Sequence, residues 1–436
     1  MVLLALVWFG LRFLNSMSLV EPNRAEVVAW NLADFVAIVL LFLAVCVERL
    51  REEQVFSLRA KSDKVDFRLL AVWFGSCVAS ALTGVLRGHD WSYLIGDFYR
   101  FACLSVVLTL LYFSAPSRAR VEYLLRGFVA VYGLMVGLDL VRFNAFLREG
   151  RDRLTTETAH QAGMICAAVI YLMLFDQKRW VRRLSVVLLI LMTILLVRAQ
   201  MLSPLLSSLA AMSLYFIFSR KFAVLLGLAV GGVILVLASF YSVTVMPANP
   251  EYIANKFLLA QQSQGPLESL EALSGVRLGE IISIAEELAN NPVSLLLGTG
   301  AGSLLTPDPV LDPILPIARY TMDKHYVHSG FFDALYHNGI IAVGAFLLLA
   351  LHLFRRAKRI YAAGNPFGLF VMVTLLVTLL LLSYDFPFES AVPMFGLCFS
   401  GVSTMEPMPR AASKRVRTRM RPSGMGAASV CGPAGA

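Results

Sequence analysis

Three of the chain's six histidines fall within sixteen residues, HYVHSGFFDALYHNGI (325–340). Imidazole can accept, hold or pass a proton near neutral pH, or ligate a metal. Spacing discriminates between these uses. His325 and His328 are three apart and share a face if the segment is helical. His337 follows His328 by nine residues, half a turn around such a helix and about 13 Å along it at 1.5 Å per residue. Three nitrogens so placed cannot hold one ion. The His325/His328 pair has no cysteine and no clear third ligand nearby, so no metal is expected. Two readings stay open for His328: a general base or proton-holding residue, or a histidine solvated at an interface.

Arginines supply the second kind of chemistry, recognition of anions. Arg198, in ILLVRAQMLSPLL, sits at the tip of a tight hairpin between apolar runs. It can snorkel to the headgroups or reach sideways over neighbouring spans. Arg277, in SGVRLGEIISIAEELANNP, falls in the first turn of an expected amphipathic helix with apolar residues at 278, 281, 282, 285 and 288. Ser274 is its expected N-cap and Asn291-Pro292 its stop. A helix N-terminus attracts anions and a guanidinium adds a bidentate donor, although an i,i+3 pair with Glu280 is the plainer reading. LLLGTGAGSLL (295–305) resembles a phosphate loop superficially but lacks the Lys-Ser/Thr ending, so a flexible turn is expected. Asn31, Asp34 and Asp139 lie within apolar runs, where polar groups normally face a cavity or a partner.

The elements that must position these residues follow from composition. The chain has 436 residues, 58% hydrophobic and 15% charged, with mean hydropathy +0.71. Soluble domains are about 25% charged, so lipid must solvate much of this one. Apolar runs long enough to span as helices centre near residues 10, 37, 78, 104, 133, 169, 190, 209, 234, 342, 376 and 396. That gives an all-α polytopic membrane protein of about twelve spans, or eleven if residues 1–19, with Arg12 and no basic leader, lie only in the interface. The loops 48–68, 116–126, 176–183, 219–221 and 355–359 carry nineteen Lys and Arg, against eight in 20–26, 87–100, 142–161 and 198–200. The positive-inside bias puts the first set and both termini in the cytoplasm. The same distribution assigns the net charge of +9 to topology and membrane lipids rather than to nucleic acid. Cys46, Cys77, Cys103, Cys166 and Cys398 lie in apolar runs and Cys431 in the tail, which suits helix packing and not a disulfide framework.

Four regions emerge: spans one to nine over 1–246, a long external loop over 247–328, three further spans over 329–404, and a basic tail over 405–436. The loop carries four basic residues against nine acidic ones, so any pull on an anion must come from individually placed arginines.

These residues carry a family likeness. HSGFFDALYHNGIIA resembles the histidine motif of bacterial O-antigen ligases: a His, then Asn, Ser or Gln, nine residues, then Gly. The matching positions are His328, Ser329 and Gly339, while Ala342 departs from the motif's last position. The 273–302 segment is similar to the family's loop helix, with Arg277 on its arginine and Gly298, Gly300 and Gly302 on its glycine-rich exit. VRAQMLSPLLS keeps only Arg198 of a Ser-Arg-Gly stretch. The resemblance implies a GT-C-like, metal- and nucleotide-independent inverting glycosyltransferase of the inner membrane, with its site facing the periplasm and no cofactor. The donor would be a glycan on undecaprenyl diphosphate and the acceptor the lipid A–core oligosaccharide. His328 would be catalytic, Arg198, Arg277 and Arg319 (with Arg151 a further candidate) would hold the diphosphate, and Asp34, Asp139 and His325 would support them. Two rivals stand. Polymerases of the same superfamily often pair arginine loops in which ten residues separate the Arg from a Gly; here that position after Arg142, Arg148, Arg153 and Arg277 holds Arg153, Ala159, Met164 and Leu288. A carrier of the same lipid-linked glycan would place its charges nearer the bilayer midplane.

Overall fold

The computed structural model describes residues 36–40, 42–47, 61–114, 117–148, 161–199, 202–219, 276–305, 327, 329–384 and 388–406. Their helices are α1 (Lys61–Leu86), α2 (Trp91–Ser114), α3 (Arg118–Arg148), α4 (Ala162–Phe175), α5 (Arg179–Ala199), α6 (Leu202–Ser219), α7 (Val276–Ala289), α8 (Pro292–Leu297), α9 (Gly330–Ala362), α10 (Phe367–Tyr384) and α11 (Phe388–Met405). A further apolar helical segment covers Val36–Val47. Among the described residues none lies in a β-strand, and Leu305 and Ser329 are isolated bridge residues. Hydrocarbon offers no hydrogen-bond partners, so apolar runs satisfy their own backbone as helices. Four stretches, Asp63–Leu86, Trp91–Phe113, Arg118–Val141 and Gly330–Ala362, are long and apolar enough to cross a membrane, and shorter apolar helices accompany them. Large side chains such as Leu82, Leu134, Ile190 and Ile217 stand exposed along these helices, as a lipid-facing surface requires. The chain is an all-α membrane protein.

Ten of the expected centres fall within helical segments; those near 10 and 234 lie outside the described residues. Two expected loops are shorter than their charges suggested. Residues 91–100, read as part of a loop, form the first turns of α2. Asp97 and Arg100 are tolerated there because they pair at i,i+3, at 2.7 Å. Likewise α1 begins at Lys61, with Asp63 and Asp66 fully buried.

Helix α9 is central: it packs on α1 and α10, while α2 packs on α1 and α11, and α4 joins α5, α6 and α10. Trp73 ties α1, α2 and α9 together. Its indole Nε1 donates to the Phe101 carbonyl at 2.8 Å, and its ring meets Phe346 of α9 at 5.8 Å.

Ion pairs mark the lower end of this unit. The fully buried Arg356 of α9 donates to Asp66 and, at 2.7 Å, to Asp63; its Nε reaches Glu406, past the end of α11, at 2.9 Å. Asp63 also accepts from Tyr112 of α2 and Ser403 of α11, and His352 lies 2.6 Å from Asp66. Burying an ion costs several kcal/mol unless paired and hydrogen-bonded; here one guanidinium meets three carboxylates.

Candidate functional site

The site is built where the histidine-bearing helix meets the glycine-rich loop, at the opposite end of the same unit. Asn291 ends the loop helix as expected, but it also begins another element. Its side chain accepts from the N–H groups of Val293 and Ser294 and caps α8, with Pro292 at N1. Behind it, α7 buries Glu280, Ile284 and Leu288. This stripe is rotated from the expected one, since exposed Ala285 gives way to Ile284. Ile284 and Leu288 pack with Leu305, Val327 and Tyr336 in a small satellite core, and the Tyr336 hydroxyl donates to the Leu304 carbonyl at 3.0 Å.

Gly339 breaks α9, with φ 74° and ψ 177° inside an otherwise helical run. The break turns out the carbonyls of Tyr336 and His337, which a continuous helix would pair four residues on. The glycine loop takes them. Thr299 N–H donates to the Tyr336 carbonyl at 2.7 Å and Gly300 N–H to that of His337 at 3.3 Å; Ser80 Oγ of α1 also donates to the latter, at 2.6 Å. The approach excludes side chains on both partners: a Cβ on Gly298 would lie 2.1 Å from the His337 oxygen, and one on Gly339 2.2 Å from that of Leu296.

The expected flexible turn is therefore a docked one. Every N–H from Thr299 to Ser303 is already spent on a protein acceptor: after the two above, Ala301 on Ser80, Gly302 on the Asp97 carboxylate and Ser303 on Gly300. A loop so engaged cannot cradle a phosphate with its backbone. Arg87 and His89, beyond the end of α1, hold it from the other side through the carbonyls of Thr299 (2.8 Å) and Ala301 (2.9 Å).

Under the loop lies a buried charged set. One nitrogen of Arg100, Nη2, is 2.7 Å from Asp97 Oδ1 and 3.1 Å from Asp333 Oδ2. His337 bridges the same carboxylates, with Nδ1 3.5 Å from Asp97 Oδ2 and Nε2 3.5 Å from Asp333 Oδ1. Its tautomer follows from its neighbours. Thr299 Oγ1 donates to the Tyr336 carbonyl, which can only accept. Ser303 Oγ, 2.6 Å away, then donates to Thr299 and accepts from His337 Nδ1 at 3.1 Å. Hydrogen therefore sits on Nδ1, and Nε2 towards Asp333 is where a second proton can be gained or lost.

The sequence-derived candidates distribute unevenly around this set. His328, His325, Arg319 and Asp34 lie outside the described residues, as do Asn31 and Arg151. Helix α9 begins at Gly330 with Ser329 as its N-cap, and Val327 is not helical, while the rest of the helix expected over 325–328 lies outside the described residues. The two neighbours of His328 in sequence are anchored: Val327 N–H donates to Asp333 Oδ1 at 3.2 Å, and Ser329 Oγ donates to the Leu382 carbonyl at 3.0 Å. Arg277 is the second residue of α7, and Arg198 falls in the last turn of α5, four residues before α6 begins at Leu202; their side chains lie outside the described residues. Asp139 is fully buried on α3. Sequence reasoning missed Asp97, Arg100 and Asp333 and set His337 aside. The i,i+3 pair Asp97/Arg100 inside an apolar run and the i,i+4 pair Asp333/His337 were the available signals.

The arrangement fixes backbone, stores charge out of water and offers one protonatable nitrogen. Compared with known proteins, the chain matches no family model and no curated sequence.

Proposed function

We propose that the protein is a membrane glycosyltransferase that moves a glycan from undecaprenyl diphosphate to the lipid A–core oligosaccharide at the periplasmic face of the inner membrane. One observation carries the reading. The histidine motif's glycine, Gly339, and the loop helix's glycine-rich exit, Gly298, form one backbone-to-backbone contact. Two motifs that resemble those of O-antigen ligases are thus halves of a single packed feature, with the motif histidine eleven residues before the contact.

The chemistry follows from the residue types. The acceptor's hydroxyl oxygen attacks the anomeric carbon opposite the diphosphate, and the new C–O bond forms as the old one breaks. His328 takes the hydroxyl proton, an effect of about 10²–10⁴-fold. Undecaprenyl diphosphate leaves with the bonding pair, and the anomeric centre is inverted. Arg198, Arg277 and Arg319 meet the growing charge on the diphosphate, and preorganised donors of this kind contribute several kcal/mol.

A lipopolysaccharide ladder tests this in cells: at normal expression, His328→Ala and Arg277→Ala erase the ligated bands. Wild-type ladders in both variants would remove the reading. A reconstituted reaction offering lipid A–core and a second donor molecule as competing acceptors separates ligation from polymerisation, and transfer without any gradient separates both from transport.

A further inference from the structure

The structure assigns Arg100 a role that no motif signals: we propose that it is a positioning residue, setting the register between the glycine loop and the backbone at Val327, the residue before the motif histidine, through the two carboxylates it holds on one nitrogen. The inference deepens the glycosyltransferase reading and rests on it for its catalytic half.

The linkage is continuous. Gly302 N–H donates to Asp97 Oδ2 at 2.7 Å, so the loop is fixed to α2. Val327 N–H, immediately before His328, donates to Asp333 Oδ1 at 3.2 Å, so that segment is fixed to α9. Arg100 Nη2 joins the other oxygens of both carboxylates, at 2.7 and 3.1 Å. Both carboxylates are buried, so water cannot replace the guanidinium as their common partner. His337 spans the same pair less closely, at 3.5 Å on each side, beyond the usual range of about 2.7–3.2 Å for an N–H···O bond. Arg100 is therefore the shorter of the two bridges. The loop that follows the Arg277 helix and the chain that precedes His328 are referred to one charge, although Gly302 and Asp97 are 205 residues apart in sequence. A misplacement of about 1 Å at a reacting group costs on the order of 10²-fold in rate, which is the scale such a bridge would protect.

The test uses the full-length protein in lipid nanodiscs. In Arg100→Gln, amide exchange in peptides covering Val327 and covering Gly298–Leu305 speeds up together, about tenfold or more, while the amides of α9 beyond the break and of α1 exchange as in wild type. Arg100→Lys, which keeps the charge, restores most of the protection. Should Arg100→Gln fail to fold, Asp333→Asn takes its place, since it keeps an oxygen for the Val327 N–H but loses the charge that draws Arg100. Unchanged exchange, loosening of only one segment, or uniform loosening of the whole bundle overturns the proposal. In the reconstituted reaction, kcat falls by about 10²-fold with donor KM within threefold; a loss confined to KM overturns the catalytic half. A wild-type protein that transfers no glycan removes the functional reading instead, and the exchange result still decides whether the bridge exists.

Discussion

Replacing Gly339 by alanine tests the contact on which the functional reading rests. At φ 74° and ψ 177°, the residue occupies a region essentially restricted to glycine, where any other side chain costs about 1–3 kcal/mol. Its new Cβ would also lie 2.2 Å from the Leu296 oxygen and 2.6 Å from the Gly298 nitrogen. Both are backbone, so relief requires the loop to lift, which breaks the bonds from Thr299 and Gly300. Overpacking of this kind costs a further 1–3 kcal/mol or so, giving a total of about 2–6 kcal/mol. Gly344 is the matched control, being five residues further along the same helix with open space around its Cβ position. Gly344→Ala should be neutral or stabilising by up to about 1 kcal/mol. Melting of both variants in detergent, with exchange of the 298–305 peptide as the local readout, decides the matter. Equal melting of Gly339→Ala and wild type, with an undisturbed loop peptide, would refute the reasoning.

Arg356→Gln strips the shared partner from the buried Asp63 and Asp66; removing one side of such a set costs about 3–5 kcal/mol, read as loss of the monodisperse peak in fluorescence-detected chromatography. Arg118→Gln breaks a half-exposed pair with Glu122 and should change melting by less than about 1 kcal/mol. Asn291→Ala removes the cap from α8, a loss of about 1 kcal/mol confined to that helix and seen as faster exchange over Val293–Leu297; no change there would mean that packing against α9 alone holds the turn.

Much of the fold was legible because hydropathy is a local property. The helices of the membrane unit and the loop helix α7 stand where apolar runs and a 3.6-residue period put them. What escaped was pairing at a distance. Asp97 and Arg100 looked like loop charges because nothing near them in sequence says that Asp333 waits 233 residues later. His337 was measured against His328 along one assumed helix, whereas α9 starts only at Gly330 and breaks again at Gly339. The rejection of a phosphate loop was sound, but for a stronger reason than a missing lysine: the loop's N–H groups are consumed by α1, α2 and α9. Flexibility was inferred there from three glycines, yet those glycines serve close approach, and only the partner backbones reveal it.

Helix α9 is pinned twice. Near its start, Asp333 and His337 hold it to α2; nineteen residues after His337, about 28 Å along at 1.5 Å per residue, Arg356 holds it to α1 and the end of α11. A rod fastened at one end can swing, but one fastened at both can only flex between its pins, and the joint at Gly339 is clamped by the loop. Any movement of this helix must therefore carry α1, α2 and the end of α11 with it or unfasten a buried ion set. On the proposed function, these joined elements would be the frame past which lipid-borne reactants come and go.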